Sequence, residues 1–169
     1  MTGSTRNMVR SAFFAATMAV CAWVALPISD IGFTMQTFGV FLALGLLGGK
    51  WGTVSIGLYL LTGLVGLPVF SGFRGGPGVL LGVTGGYLWG FLASGLVYWA
   101  LARFGKLPAM IAGLLACYAC GSLWFLWYSG GGLVFVIMRC VLPYLIPDGV
   151  KIFLAWSLSR RLSRHLIQT

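Results

Sequence analysis

The chain has 169 residues, 59% hydrophobic and 8% charged, against about one quarter charged in an ordinary soluble domain. Two acidic residues, Asp30 and Asp148, face eleven Lys and Arg for a net charge of +9, so a water-facing surface cannot be assembled and the bilayer is the fitting solvent. A basic balance can mark a nucleic-acid binder, but these cations stand at the ends of apolar runs instead of along one face, which excludes that class.

A spanning helix needs about 20 mostly apolar residues. Six such runs lie between charges, prolines and glycine clusters, near 9–27, 35–49, 51–68, 84–103, 108–128 and 147–164. They are continuous and not alternating, which argues against a membrane β-barrel. The expectation is an all-α membrane protein in which six transmembrane helices form one domain over residues 1–169.

In the first run, Ala12, Ala15, Ala16 and Ala19 form overlapping small-xxx-small pairs. Such spacing admits a second helix at close range, either within the chain or from a partner subunit. The run continues into further spans with no small-x-small cleavage site, so no cleavable signal peptide is expected. The second opens on Thr34-Met35-Gln36-Thr37-Phe38, where Thr34 suits a helix cap and Gln36 is a candidate to face a cavity. It is short, and the third carries Gly57, Gly63 and Gly66, so these two are expected to be tilted, broken or partly unwound.

The connection 69–83 contains Ser71-Gly72-Phe73-Arg74-Gly75-Gly76-Pro77-Gly78 and leads into Thr84-Gly85-Gly86-Tyr87. Its glycines permit a tight fold over a ligand, and the phosphate-loop pattern is missing from the sequence. Arg74 suits a carboxylate or is a solvated loop charge; Gly90 reads as a helix-packing residue, and Gly85 and Gly86 as packing or loop residues. In the fifth run Cys117 and Cys120 have the C-x-x-C spacing with no second pair, and His165 is the only histidine, so they read as packing residues and not as zinc ligands. An apolar stretch at 133–142 is too short to span and reads as a half-inserted helix.

The last run begins Pro147-Asp148-Gly149-Val150-Lys151. Proline suits a first helical turn, which predicts a helix starting at Pro147, with Asp148 and Lys151 on one face. Charges inside a span usually face the bundle interior and mark a substrate path; the alternative is a structural pair in which Asp148 caps the helix and Lys151 neutralises it. Placing Arg6 and Arg10 in the cytoplasm puts Lys50, Arg103, Lys106, Arg160, Arg161 and Arg164 there too. Arg74, Arg139 and Lys151 are left outside with both acids, and both termini are then cytoplasmic. Neither a catalytic triad nor a carboxylate pair is visible.

Four segments in register, Thr34 to Phe38, Gly63 to Phe70, the run ending in Thr84-Gly85-Gly86-Tyr87-Leu88, and Pro143 followed by Pro147 to Lys151, resemble the biotin-specific substrate-binding (S) components of energy-coupling-factor (ECF) transporters. The resemblance spans about residues 10–160. It implies a six-helix fold in the bacterial cell membrane that captures biotin from outside. It also implies two kinds of partner, a membrane-embedded coupling (T) subunit docked on the first-helix alanines and two cytoplasmic ATPase subunits. Asp148 and Lys151 match the motif associated with the polar ring system of biotin, and Arg74 is carried over as a partner for its carboxylate. The chain departs from the family pattern at Val83, where proline is common, at Tyr144, where phenylalanine is common, and at Arg139, where a small or uncharged residue is expected.

Biotin suits the residues, since its ureido group, apolar ring and chain, and carboxylate call for an acid, aromatic walls and a cation. Gln36, Thr84 and the aromatics Phe38, Tyr59, Phe70 and Tyr87 are the further candidates to line such a pocket. No cofactor is expected, biotin being the transported substrate. The readings kept beside this one are an S component for thiamine or riboflavin, a small intramembrane enzyme built on Asp148 and Lys151, and a channel or scaffold with no saturable ligand.

Overall fold

Away from water, a helix is the local structure that satisfies each backbone N–H and C=O within its own segment. The computed structural model is accordingly helical almost throughout; it describes residues 3–26 and 33–167. Asp30 lies outside the described residues, as do the side chains of Arg164 and His165. Helix α1 (Gly3–Trp23) leads into a two-residue antiparallel pair, β1 (Ala25–Leu26) with β2 (Phe33–Thr34). Then follow α2 (Gln36–Leu64), the single turn α3 (Pro77–Leu80), α4 (Gly85–Leu101) closed by a 3-10 turn at Ala102–Phe104, α5 (Lys106–Ser129), α6 (Leu133–Cys140) and α7 (Leu142–Ile167).

Several boundaries differ from the sequence reading. The runs 35–49 and 51–68 are one bent element, α2, broken at Gly48, whose φ of 78° and ψ of 175° lie in a region essentially reserved for glycine. Its helix stops at Leu64, so the connection to α4 is longer than expected and carries the extra turn α3. The last helix starts not at Pro147 but at Leu142, with Pro147 inside it. Pro143 takes the place near the start where a missing N–H costs nothing. Pro147 then withholds one bond, from the carbonyl four residues back, within the first two turns. Of the 133–142 stretch, Leu133–Cys140 form α6, set at 42° to α7, which begins at Leu142.

Packing is most extensive between α4 and α5 and between α1 and α2, with α7 and α4 also on α2. Backbones come close where a side chain has no room. A methyl added at Gly86 would overlap Trp124 of α5, and one at Gly121 would overlap the Tyr87 ring.

The contacts define two ends of the bundle. At one, Ser11 Oγ donates to the Trp51 carbonyl (3.1 Å) and Lys106 Nζ to the Gly45 carbonyl (3.0 Å). The bend of α2 therefore meets the starts of α1 and α5, together with Trp99 near the end of α4 and Ser159 of α7. Arg10, Lys50, Arg103, Lys106 and Arg160 gather there by position in the chain. At the other, Trp23 Nε1 donates to the Pro68 carbonyl (2.9 Å) and Lys151 Nζ to the Thr34 carbonyl (2.6 Å).

The distribution of polarity is that of a protein solvated by lipid. Large apolar side chains such as Phe13, Leu115, Leu123 and Ile146 are exposed, whereas Gln36, Thr37, Ser94, Asp148 and Lys151 are buried. Helices α2 and α5 are each long and apolar enough to cross a membrane, and the bent α6–α7 pair qualifies as a third such unit among the described residues.

Candidate functional site

Asp148 and Lys151 lie one turn apart on α7, each with 4% of its surface exposed, so both point into the bundle and away from lipid. Lys151 Nζ donates to Asp148 Oδ1 at 2.8 Å and to the Thr34 carbonyl at 2.6 Å, and sits 3.8 Å from the centre of the Phe33 ring. From α5 the Tyr118 hydroxyl donates to Asp148 Oδ2 at 2.8 Å. Asp148 is more than a turn inside the helix and caps nothing. Desolvating two charges is costly enough that a buried ion pair is poor evidence of a stabilising role. What separates the binding reading from the structural one is whether open space adjoins the pair.

It does. A cavity of about 150 Å³ has Asp148, Lys151 and Tyr118 on one wall and Gln36, Thr37 and Thr34 beside them. Phe91 and Tyr87 of α4 and Tyr144 of α7 supply aromatic surface, and Phe70, Ser71, Arg74 and Thr84 contribute from the connection between α2 and α4. That connection turns back sharply. The Phe70 N–H donates to the Arg74 carbonyl (2.9 Å) across a turn in which Gly72 and Phe73 both have positive φ. Positive φ strains a residue such as Phe73, and its ring is held in place by stacking on Trp23 at 5.0 Å. Arg74 Nε donates to the Ser71 carbonyl at 3.1 Å.

The sequence candidates divide into walls and supports. Asp148, Lys151, Arg74, Tyr87, Gln36 and Thr84 come together around one space, as does Phe70. Tyr59 stands behind the wall: its hydroxyl accepts from Gln36 Nε2 (2.9 Å) and donates to the Val69 carbonyl (3.2 Å), with its ring edge-on to Phe70. It lies instead on a separate groove, and Phe38 borders neither space. Tyr87 is both wall and support, since its hydroxyl donates to the Cys140 carbonyl at 3.2 Å and so ties α4 to α6. The N-cap of α2 is Met35 and not Thr34, which lies one residue earlier with its Oγ1 accepting from the Gln36 N–H at 3.3 Å.

Sequence reading missed Tyr118, Thr37, Phe91 and the cavity role of Tyr144. Tyr118 had a legible signal: a hydroxyl in mid-span needs an acceptor, and a buried acid needs donors. Cys117, one residue earlier, packs under Gly90 of α4. The alanines fall on the separate groove, of about 410 Å³, where Ala12, Ala15, Ala16 and Ala19 of α1 face Leu58 and Thr62 of α2; Ala12 and Ala16 are exposed and Ala19 is buried.

The profile described as the BioY family matches residues 1–168. The chain belongs to the BioY family. Relatives include the biotin transporter BioY of Thermotoga maritima, 35% identical over 94% of this chain and 96% of that protein. A probable biotin transporter BioY of Pyrococcus horikoshii is 37% identical over 89% and 92% of the two chains. Among solved structures, the S-component for biotin from an ECF-type ABC transporter superposes with a TM-score of 0.88 at 28% identity, over 97% of this chain and 95% of the other. The chain is thus a membrane protein of a transport family and has no enzymatic role of its own in that family.

Proposed function

We propose that this chain captures biotin in the cavity beside Asp148 and delivers it to an ECF-type ABC transporter. The observation that carries the reading is the arrangement of unused hydrogen-bonding capacity at the buried pair. A carboxylate offers about four acceptor positions. Lys151 and Tyr118 each take one on Asp148, which leaves about two for the two ureido N–H groups. An ammonium has three donors. Asp148 and the Thr34 carbonyl take one each from Lys151, which leaves one for the ureido carbonyl. Tyr87, Phe91 and Tyr144 suit the apolar ring and chain, and Arg74 on the loop side suits the carboxylate. Gln36, held by Tyr59, and Thr84 add polar contacts.

The chain is read as crossing the bacterial cell membrane six times, with α2 contributing two passes about Gly48. The cation-rich end, with both termini, lies in the cytoplasm, because positive loops are retained there. The cavity then opens outward. The chain needs no cofactor. The energy of uptake comes from two cytoplasmic ATPase subunits through a membrane-embedded coupling subunit, which docks on the α1 alanine groove at Ala12, Ala15, Ala16 and Ala19. Isothermal titration of the detergent-solubilised protein with biotin tests the reading. Saturable heat that thiamine and riboflavin do not displace is expected; no saturable binding at micromolar biotin, or displacement by either vitamin, overturns it.

A further inference from the structure

A second space, of about 700 Å³, lies beside the cavity. Its rim is the α3 turn with Gly78, Gly82 and Val83 on one side and the end of α5, with Phe125 and Tyr128, on the other. Arg74, Val79 and Thr84 border both this space and the cavity beside Asp148, so the partition between the two is made of these three residues. The rim is anchored. Trp124 Nε1 donates to the Gly82 carbonyl (3.0 Å) and Trp89 Nε1 to the Leu80 carbonyl (3.3 Å), fixing the turn to α5 and α4. Arg74 is exposed, and among the described residues its guanidinium is the one charged group lining either space apart from the buried pair.

We infer that this second space is an entrance vestibule, through which an amphiphilic carboxylate is drawn by Arg74 and passes between α3 and the end of α5 into the cavity. This rests on the biotin reading above. The chemistry is ordered by the geometry. A cation at a partition attracts the anionic tail before the neutral ring reaches the buried acid, and the same cation then lies on the wall that receives the tail once the ring is seated.

An entrance has a kinetic signature that a binding wall lacks. Narrowing it slows entry and exit by the same factor, because both use one path, and leaves the equilibrium constant unchanged. Gly78 and Val83 border the vestibule and not the cavity, and nothing lies within 4 Å of a methyl added at Gly78. The test measures tritiated biotin association and dissociation on the solubilised full chain carrying Gly78→Trp or, separately, Val83→Trp. Both rate constants are expected to fall about 10-fold or more while Kd stays within about 2-fold of the parent. Added salt is expected to slow association of biotin but not of its uncharged amide, a difference that Arg74→Gln removes. Unchanged rates in both variants, or a raised Kd carried by faster dissociation, overturn the vestibule while leaving the biotin site intact. Absence of saturable biotin binding in the unsubstituted protein overturns both.

Discussion

Replacing Asp148 by Asn probes the buried pair with almost no change of volume. The carboxylate accepts from Lys151 and Tyr118 on different oxygens, both at 2.8 Å; an amide keeps one acceptor oxygen and presents an NH2 in place of the other. With its oxygen towards Lys151 the amide turns its NH2 to the Tyr118 hydroxyl, which must accept instead of donate, and a ureido N–H that met the carboxylate meets a weaker acceptor or none. Losing one charge-assisted hydrogen bond is worth about 1.5–3 kcal/mol, so Kd for biotin should rise about 10- to 100-fold. Lys151 also loses its counter-charge at 4% exposure, so stability should fall, by up to about 3–5 kcal/mol, the usual cost of stripping a partner from a buried pair. Titration calorimetry with a thermal melt on the same preparation separates the two effects. An Asp148→Asn variant that melts like the parent and binds biotin within about 2-fold of it would refute the assignment of Asp148 to the ureido group.

The other expectations follow from single contacts. Tyr59→Phe removes the hydroxyl that holds Gln36 and Val69, and should weaken biotin binding about 5-fold, the worth of one neutral hydrogen bond, measurable by the same titration. Gly86→Ala forces α4 away from Trp124 and should destabilise the solubilised protein by about 1–3 kcal/mol. Gly57→Ala, with open space around it, should be neutral or stabilising by up to about 1 kcal/mol; melts of the two variants side by side check the packing argument. Ala12→Leu with Ala16→Leu fills the exposed part of the α1 groove and should leave biotin titration unchanged while abolishing co-purification with the coupling subunit.

Much of the fold was legible because its signal is additive over many residues. The apolar runs fall largely within helices of the structure, two of them inside the single bent element α2. The boundaries that moved depend on one or two residues each. Nothing in the composition of 35–68 singles out Gly48 among its glycines as the one with positive φ inside α2, and the hairpin of β1 with β2 rests on two residue pairs. Pro147 misled because Pro143, four residues earlier, fills the start position that proline favours. At the site, the i, i+3 spacing of Asp148 and Lys151 fixed their shared face, since only helix geometry was needed. That Tyr118 needs an acceptor was legible, but its pairing with Asp148 and the supporting place of Tyr59 were not, because the partners are 30 and 23 residues away in the chain. Long-range pairing is set by how helices cross, which one sequence does not display.

Trp23 ends α1 by gripping the Pro68 carbonyl and stacking on Phe73. A helix of 21 residues is a stiff rod about 30 Å long, and this one carries the alanine face at its middle and grips, at its tip, the connection that brings Phe70, Ser71 and Arg74 to the cavity. Anything that shifts the rod at its middle must drag that connection along or break the stack and the hydrogen bond. Mechanical work applied near the waist of the molecule is thereby felt at its mouth.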